Sequence, residues 1–230
     1  MNKLLINEEL DLLQSLVDLK QQRKIVELGC GAADLSRKLL ARYAACEVTG
    51  LEVDKLQHAK NLLNPAQRLE FVQAGAQSVP FPAEAFDLAL MLKSLHHVPL
   101  DQMDRALLEV HRILRPQGLL YVSEPVFAGD LNEVIRLFHD EEVVRGAAQR
   151  ALQDAVSSGA WEQVGETLFE TPVYFRDFAA FETRLIGITY LDHRLDDATL
   201  QRVRARFEPH MVADGAHFVR PMRVNLLRKC

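Results

Sequence analysis

The feature that most constrains this chain is a rhythm. Between Lys24 and Ser123, short and nearly continuous apolar runs take turns with amphipathic ones. Lys24–Leu28, Glu47–Glu52, Leu69–Gln73, Phe86–Leu92 and Leu119–Ser123 read as strands. Leu35–Tyr43, Lys55–Leu63 and Asp101–Leu114 read as helices between them. Strands that are apolar throughout, rather than at every second position, are buried on both faces, which is the pattern of a parallel sheet covered by helices. The expected fold class is therefore α/β and doubly wound. In the last helix Met103, Leu107, Val110 and Leu114 fall on one face, with Asp101 expected as its cap and Pro116 and Gly118 as its stop. Asp54 is the expected cap of Lys55–Leu63.

After Glu124 the rhythm changes. Residues 130–160 are helical in pattern, 166–175 and 217–228 are strand-like, and helical segments are expected around 177–187 and 197–207. No linker marks a second independent domain, so the expectation is one domain over 1–230 with a core over 20–125. The remainder, 126–230, holds a helical insertion after the fifth strand and a closing antiparallel pair. Phe127, Phe138, Trp161, Phe169, Tyr174, Phe175, Phe178, Phe181 and Tyr190 cluster in this later half. They fit an apolar pocket under a helical lid, or the core of the insertion, and for most of them the core is the expectation. Arg136, Arg145 and Arg150 lie among acids at helical spacing, which predicts a solvated face.

Composition narrows the partners. A formal charge of −5 and a pI near 5.9 give no bulk field for a nucleic acid backbone. Glu8, Glu9 and Asp11 interrupt the N-terminal apolar residues, unlike a signal peptide, and no run approaches the roughly 18 apolar residues of a membrane span. A soluble cytoplasmic protein is expected. Cys30, Cys46 and Cys230 are widely spaced, without a CxxC or a nearby histidine pair, and are read as reduced and non-catalytic, with no metal site.

The segment IVELGCGAAD, Ile25–Asp34, is a strand broken by two glycines before a helix. In an open α/β sheet the loop after the first strand touches the ligand, and glycine lets the main chain approach it. A dinucleotide site would want a third glycine where this chain has Asp34, a carboxylate that repels a diphosphate. Glu52 falls 21 residues after Gly31 at the end of the second strand, where an acid accepts from ribose hydroxyls. An adenosine ligand of either kind remains open on these residues alone.

Glu27-Leu28-Gly29-Cys30-Gly31 resembles the E/D-x-G-x-G first motif of class I S-adenosylmethionine-dependent methyltransferases, and Gly50-Leu51-Glu52 their second acidic motif. Ser78-Val79-Pro80-Phe81-Pro82 with Ala85-Phe86-Asp87, then Leu95-His96-His97-Val98, then Leu108–Gly118 are similar to the later motifs, in order. The type resembled is the small-molecule one, like the domain of ubiquinone and menaquinone biosynthesis. The resemblance implies a Rossmann-like, mostly parallel seven-stranded sheet with an antiparallel last strand. It implies S-adenosyl-L-methionine as cofactor and S-adenosyl-L-homocysteine as product. It places Gly29 and Gly31 at the methionyl part, Glu52 at the ribose and the segment Gly75, Ala76 and Gln77 at the adenine, with Glu27, Cys30, Val53 and Lys93 also among the cofactor-binding residues. The chain departs at Ala74-Gly75-Ala76, where the family commonly has an acid before the alanine; Gln77 or a backbone carbonyl would substitute. Gln117 stands in place of a glycine in a turn.

Methyl transfer is an in-line displacement that the protein assists mainly by positioning. His96, His97 and Glu124 are the candidate bases for an acceptor that must lose a proton. The lack of an N/D-P-P-aromatic signature at Met91-Leu92-Lys93-Ser94, and of a nearby cysteine nucleophile, points to a small-molecule acceptor. Two other readings stand beside it: a non-catalytic S-adenosylmethionine-binding sensor or partner subunit, and a nicotinamide-dependent oxidoreductase.

Overall fold

The computed structural model describes residues 4–187 and 195–230, so Tyr190 of the aromatic cluster lies outside the described residues. The strands are β1 (Lys24–Leu28), β2 (Glu47–Leu51), β3 (Leu69–Val72), β4 (Phe86–Leu92), β5 (Leu114–Pro125), β6 (Trp161–Phe175), β7 (Met211–Val212) and β8 (Gly215–Lys229). The helices are α1 (Glu9–Leu16), α2 (Asp34–Arg42), α3 (Lys55–Leu62), α4 (Met103–Ile113), α5 (Asp130–Ile135), α6 (Glu142–Ser157), α7 (Phe178–Phe181) and α8 (Asp197–Phe207). Sheet order is β3-β2-β1-β4-β5-β8-β6, seven strands in one path, with the two-residue β7 paired antiparallel to β8. β1 runs parallel to β2 and β4, β2 to β3, and β4 to β5. The order reverses between β1 and β4, so the ligand crevice of a doubly wound sheet is expected at the carboxyl ends of these two strands.

The chain forms two compact units. One comprises Glu8–Glu124, Gly146–Thr167 and Arg223–Cys230; the other Met1–Asn7, Pro125–Arg145 and Leu168–Met222. The first unit is built on the apolar strands: Ile25, Val26, Leu88, Ala89, Leu90 and Leu120 are fully buried between the helical layers. The amphipathic face read in the sequence is the buried face of α4, through Met103, Leu107 and Val110. The core of the second unit is aromatic. Phe175, Phe178, Phe181, Phe207 and Phe218 pack at ring separations of 4.9–6.1 Å. Five of the predicted aromatics, Trp161, Phe169, Phe175, Phe178 and Phe181, are therefore buried core residues, while Tyr174 is exposed. Among the described residues no helix is long and apolar enough to cross a membrane.

Several local expectations are corrected. Asp101 lies inside a 3-10 turn, Leu100–Gln102, and α4 begins after Gln102 without a side-chain cap. Pro116 and Gly118 do not follow the helix as a loop: β5 starts at Leu114, and its pairing to β4 shifts register between Phe86 and Leu88. Gln117 takes a left-handed φ of 64° at that irregularity, the conformation for which glycine is the usual residue. Arg145 is not on a solvated face, since its side chain is only 12% exposed and pairs with Glu141. Asp54 does cap α3, accepting from the Leu56 N–H at 2.8 Å.

Candidate functional site

The Gly-rich bend leaves β1 at the point where the sheet order reverses. Gly29 and Gly31 both have left-handed φ, 75° and 52°, and Ala33 follows at 59° as the residue before α2. The Gly29 and Cys30 N–H groups both donate to the Leu51 carbonyl at 2.9 Å, tying the bend to the end of β2. The two glycines differ in what limits them. A Cβ on Gly29 would lie 2.7 Å from the Ser94 Cβ, whereas a Cβ on Gly31 would meet nothing within 4 Å. Gly29 therefore serves close packing against the loop after β4, whereas Gly31 has open space at its Cα while its N–H and carbonyl are held by Glu52 and the Asn61 side chain at 2.8 and 2.7 Å.

Glu52 closes the bend from the other side. It is 7% exposed, and its two oxygens accept from the Gly31 N–H and the Asp54 N–H, each at 2.8 Å. A carboxylate has about four acceptor positions, so one remains on each oxygen for a ligand's hydroxyls. Val53, next in the chain, is exposed. Glu27 lies beneath the bend, fully enclosed and hydrogen-bonded to the Ser36 hydroxyl of α2. Burial pushes its carboxyl up to about 7, against the opposing Ser36 hydrogen bond. Cys30 fits the space that Gly50 leaves, where a Cβ would come within 2.9 Å of its sulfur. Burial, with Glu27 and Glu52 nearby, pushes its thiol up to about 12, which keeps it inert.

After β3 the Gln77 carboxamide folds back over Gly75, filling the volume a Cβ would occupy: its Oε1 lies 2.5 Å from that point. Ala76 between them is buried. Gln77, named from the sequence as a substitute acceptor, thus lies with its carboxamide against Gly75.

At the end of β4, Lys93 is exposed, has a φ of 54°, and donates its N–H to the Ser123 carbonyl at 2.7 Å. The short turn Leu95–His97 follows. Glu124, at the end of the adjacent β5, organises that turn. Its Oε1 accepts from the Ser94 and Leu95 N–H groups at 3.2 and 2.8 Å, and its Oε2 holds His96 Nδ1. His96 and Glu124 are 4% and 8% exposed, while His97 is exposed with its ring 4.1 Å from that of His96. The carboxylate fixes the tautomer, with the proton on Nδ1 and the basic lone pair on Nε2. Two of the three predicted bases thus form one unit, although they are 28 residues apart.

Two contributors were not read from the sequence. Glu9 on α1 reaches the Tyr121 hydroxyl at 3.3 Å, and burial pushes its carboxyl up, opposed in part by the Lys93 ammonium. The apolar spacing of Leu10, Leu12 and Leu13 was the available signal for that helix. The second is a clamp. Arg112 binds both oxygens of Glu109 at 2.9 and 2.8 Å and donates to the Phe81 and Val79 carbonyls at 2.8 and 3.0 Å, while Glu109 accepts from the Val79 N–H at 3.1 Å. Two of the quoted sequence motifs are therefore one structural joint.

Residues 26–122 match a protein family described as "Methyltransferase domain". A fatty-acid O-methyltransferase of Mycolicibacterium smegmatis is 32% identical over 139 residues, 60% of this chain and 49% of that protein. A ubiquinone/menaquinone biosynthesis C-methyltransferase of Syntrophotalea carbinolica is 31% identical over 151 residues, 59% of this chain and 61% of that one. The chain thus spans about half to three fifths of the length of these relatives. Among solved structures, a putative methyltransferase from Bacillus halodurans C-125 superposes with a TM-score of 0.66 at 17% identity, covering 96% of this chain and 98% of that one, a likeness of fold.

Proposed function

We propose that this chain, whose residues 26–122 match a methyltransferase-domain family, transfers a methyl group from S-adenosyl-L-methionine to a small-molecule acceptor, with S-adenosyl-L-homocysteine as product. The observation that carries this reading is the joint between Gly31 and Glu52: a glycine bend with open space at the Gly31 Cα, tied at 2.8 Å to a buried carboxylate at the sheet's reversal point.

The residues fit this cofactor in chemistry. The open space at the Gly31 Cα gives a methionyl group room beside the bend, and Glu27 and Glu52 supply the negative charge that a cationic ligand favours. Glu52 keeps an acceptor position on each oxygen for the two ribose hydroxyls, with Val53 beside it. The Gln77 carboxamide, folded over Gly75, offers an adenine the acceptor that the missing acid would have given. Asp34, first residue of α2, disfavours a diphosphate in the same place. When bound, S-adenosylmethionine supplies a carbon already activated for displacement, so the chain's task is alignment, worth up to roughly 7–11 kcal/mol in favourable cases.

His96 and Glu124 do the proton work for an acceptor whose hydroxyl or acid must be deprotonated. Glu124 holds Nδ1–H and stabilises the imidazolium formed when Nε2 takes the proton. His97, its ring 4.1 Å from that of His96, and Lys93 flank this pair. Incubation with methyl-labelled S-adenosylmethionine and a panel of small acids, phenols and amines tests the proposal. Label in an extractable product, with equal S-adenosylhomocysteine, is the expected result; donor binding without label transfer to any class would refute the catalytic reading.

A further inference from the structure

Helix α3 is docked through a polar side chain. Its sequence is KLQHAKNL, and Asn61 is its one buried residue, 3% exposed, while Leu56 and Leu62 are 65% and 56% exposed. A buried amide costs free energy unless its hydrogen bonds are made, so a helix held by packing alone would turn a leucine inward. The asparagine is there for its bonds, and those bonds lead to the glycine bend.

Asn61 Oδ1 accepts from Gln57 Nε2 at 2.9 Å, which sets the orientation of the amide. Asn61 Nδ2 then donates to the Gly31 carbonyl at 2.7 Å and to Cys30 Sγ at 3.8 Å. The Cys30 thiol, kept protonated by its burial, donates to the same carbonyl at 3.6 Å. On the other side of Gly31, its N–H is held by Glu52 Oε2 at 2.8 Å. The two peptide planes that meet at the Gly31 Cα are therefore held separately, one by Glu52 and one by Asn61. A glycine at φ 52° has no side chain to restrict it, and without these bonds the following peptide would turn freely. The same helix reaches the acid as well: Asp54, its cap, donates its N–H to Glu52 Oε1 at 2.8 Å. One short helix thus holds the acid and the bend in a single frame.

We propose that Asn61 is a positioning residue for the methyl donor: by fixing the Gly31–Ala32 peptide it preorganises the bend for the methionyl end of S-adenosylmethionine. This role rests on the donor-binding reading above. A backbone that is already fixed loses little freedom when a ligand binds, so such a residue strengthens binding without touching the ligand. In the same reading the adenosine half meets Glu52 and Gln77, and among the described residues neither is hydrogen-bonded to Asn61.

Calorimetric titration of the full chain and of Asn61→Leu with S-adenosylmethionine and 5′-methylthioadenosine tests this role. The second ligand keeps the adenosine and the sulfur but lacks the amino-acid end. The variant is expected to bind S-adenosylmethionine about tenfold more weakly and methylthioadenosine within about twofold of the wild-type affinity. An unchanged S-adenosylmethionine affinity would overturn the proposal. Equal weakening of both ligands would also overturn it, showing a general loosening of the site. If Asn61→Leu fails to fold, Gln57→Leu removes the bond that aims the amide from a half-buried position; it is expected to weaken S-adenosylmethionine about threefold and leave methylthioadenosine unaltered, and no such difference would overturn the proposal. A wild-type chain that binds neither ligand overturns the donor reading and this role with it, whereas wild-type binding beside an unaffected variant overturns this role alone.

Discussion

At Glu27 a buried carboxyl titrates near neutrality, and this gives the site a pH signature. Its folded pKa, about 7, lies above the ordinary 4.5. The stability it contributes is therefore fully present below pH 4.5 and lost as pH rises to about 7. A cationic methyl donor favours the ionised form, so S-adenosylmethionine should bind more weakly below pH 7 and release protons there; Glu27→Gln should flatten that dependence in buffers of different ionisation enthalpy. The two glycines separate a folding role from a binding role. Gly29→Val meets Ser94 in a left-handed conformation and should cost roughly 2–4 kcal/mol of stability, so it tests the fold, not the ligand. Gly31→Ala has open space and should keep the fold at a cost of about 1 kcal/mol while weakening the donor. Glu52→Ala should weaken it by about 10- to 100-fold, since charged hydrogen bonds are lost. For the His96–Glu124 pair, His96→Ala should lower kcat by about 10²-fold or more for acceptors that lose a proton and leave donor affinity unchanged. An unaltered kcat would mean that the pair is only a structural cap of the Leu95–His97 turn.

Among the elements, the ends of the strands carry the site, and what holds those ends is a set of polar joints. Arg112→Ala removes four hydrogen bonds and frees Val79–Phe81 from α4. A loss of about 1–3 kcal/mol is expected by denaturant unfolding, the partial exposure of Arg112 keeping it at the lower end. The strands and helices of residues 24–124 were legible because burial on both faces leaves a nearly unbroken apolar code, and α4 because its face repeats every three to four residues. Asp101 misled because a 3-10 turn intervenes before the helix. Gln117 was placed in the right turn, but nothing local shows that β5 already begins at Leu114. The site was legible where backbone conformation demands a residue type, as at Gly29 and Gly31. It was not legible where contacts join distant positions: Glu124 with His96, Glu9 with Tyr121, and Arg145 with Asn132. Those pairings depend on how strands and helices pack, which a linear pattern does not contain.

For the whole molecule, the two units divide the chemistry by composition. One has the glycine bend, the buried acids and the family match; the other has an aromatic core and an arginine-lined cavity. The central claim is that the bend between β1 and α2 holds a methyl donor, and calorimetric titration of the full chain with S-adenosylmethionine and S-adenosylhomocysteine, with NAD as control, tests it most directly. The account predicts micromolar binding of both, none of NAD, and a rise of about 5–10 °C in Tm at a hundredfold excess over Kd. Binding of NAD in preference, or of neither adenosyl compound, would contradict it.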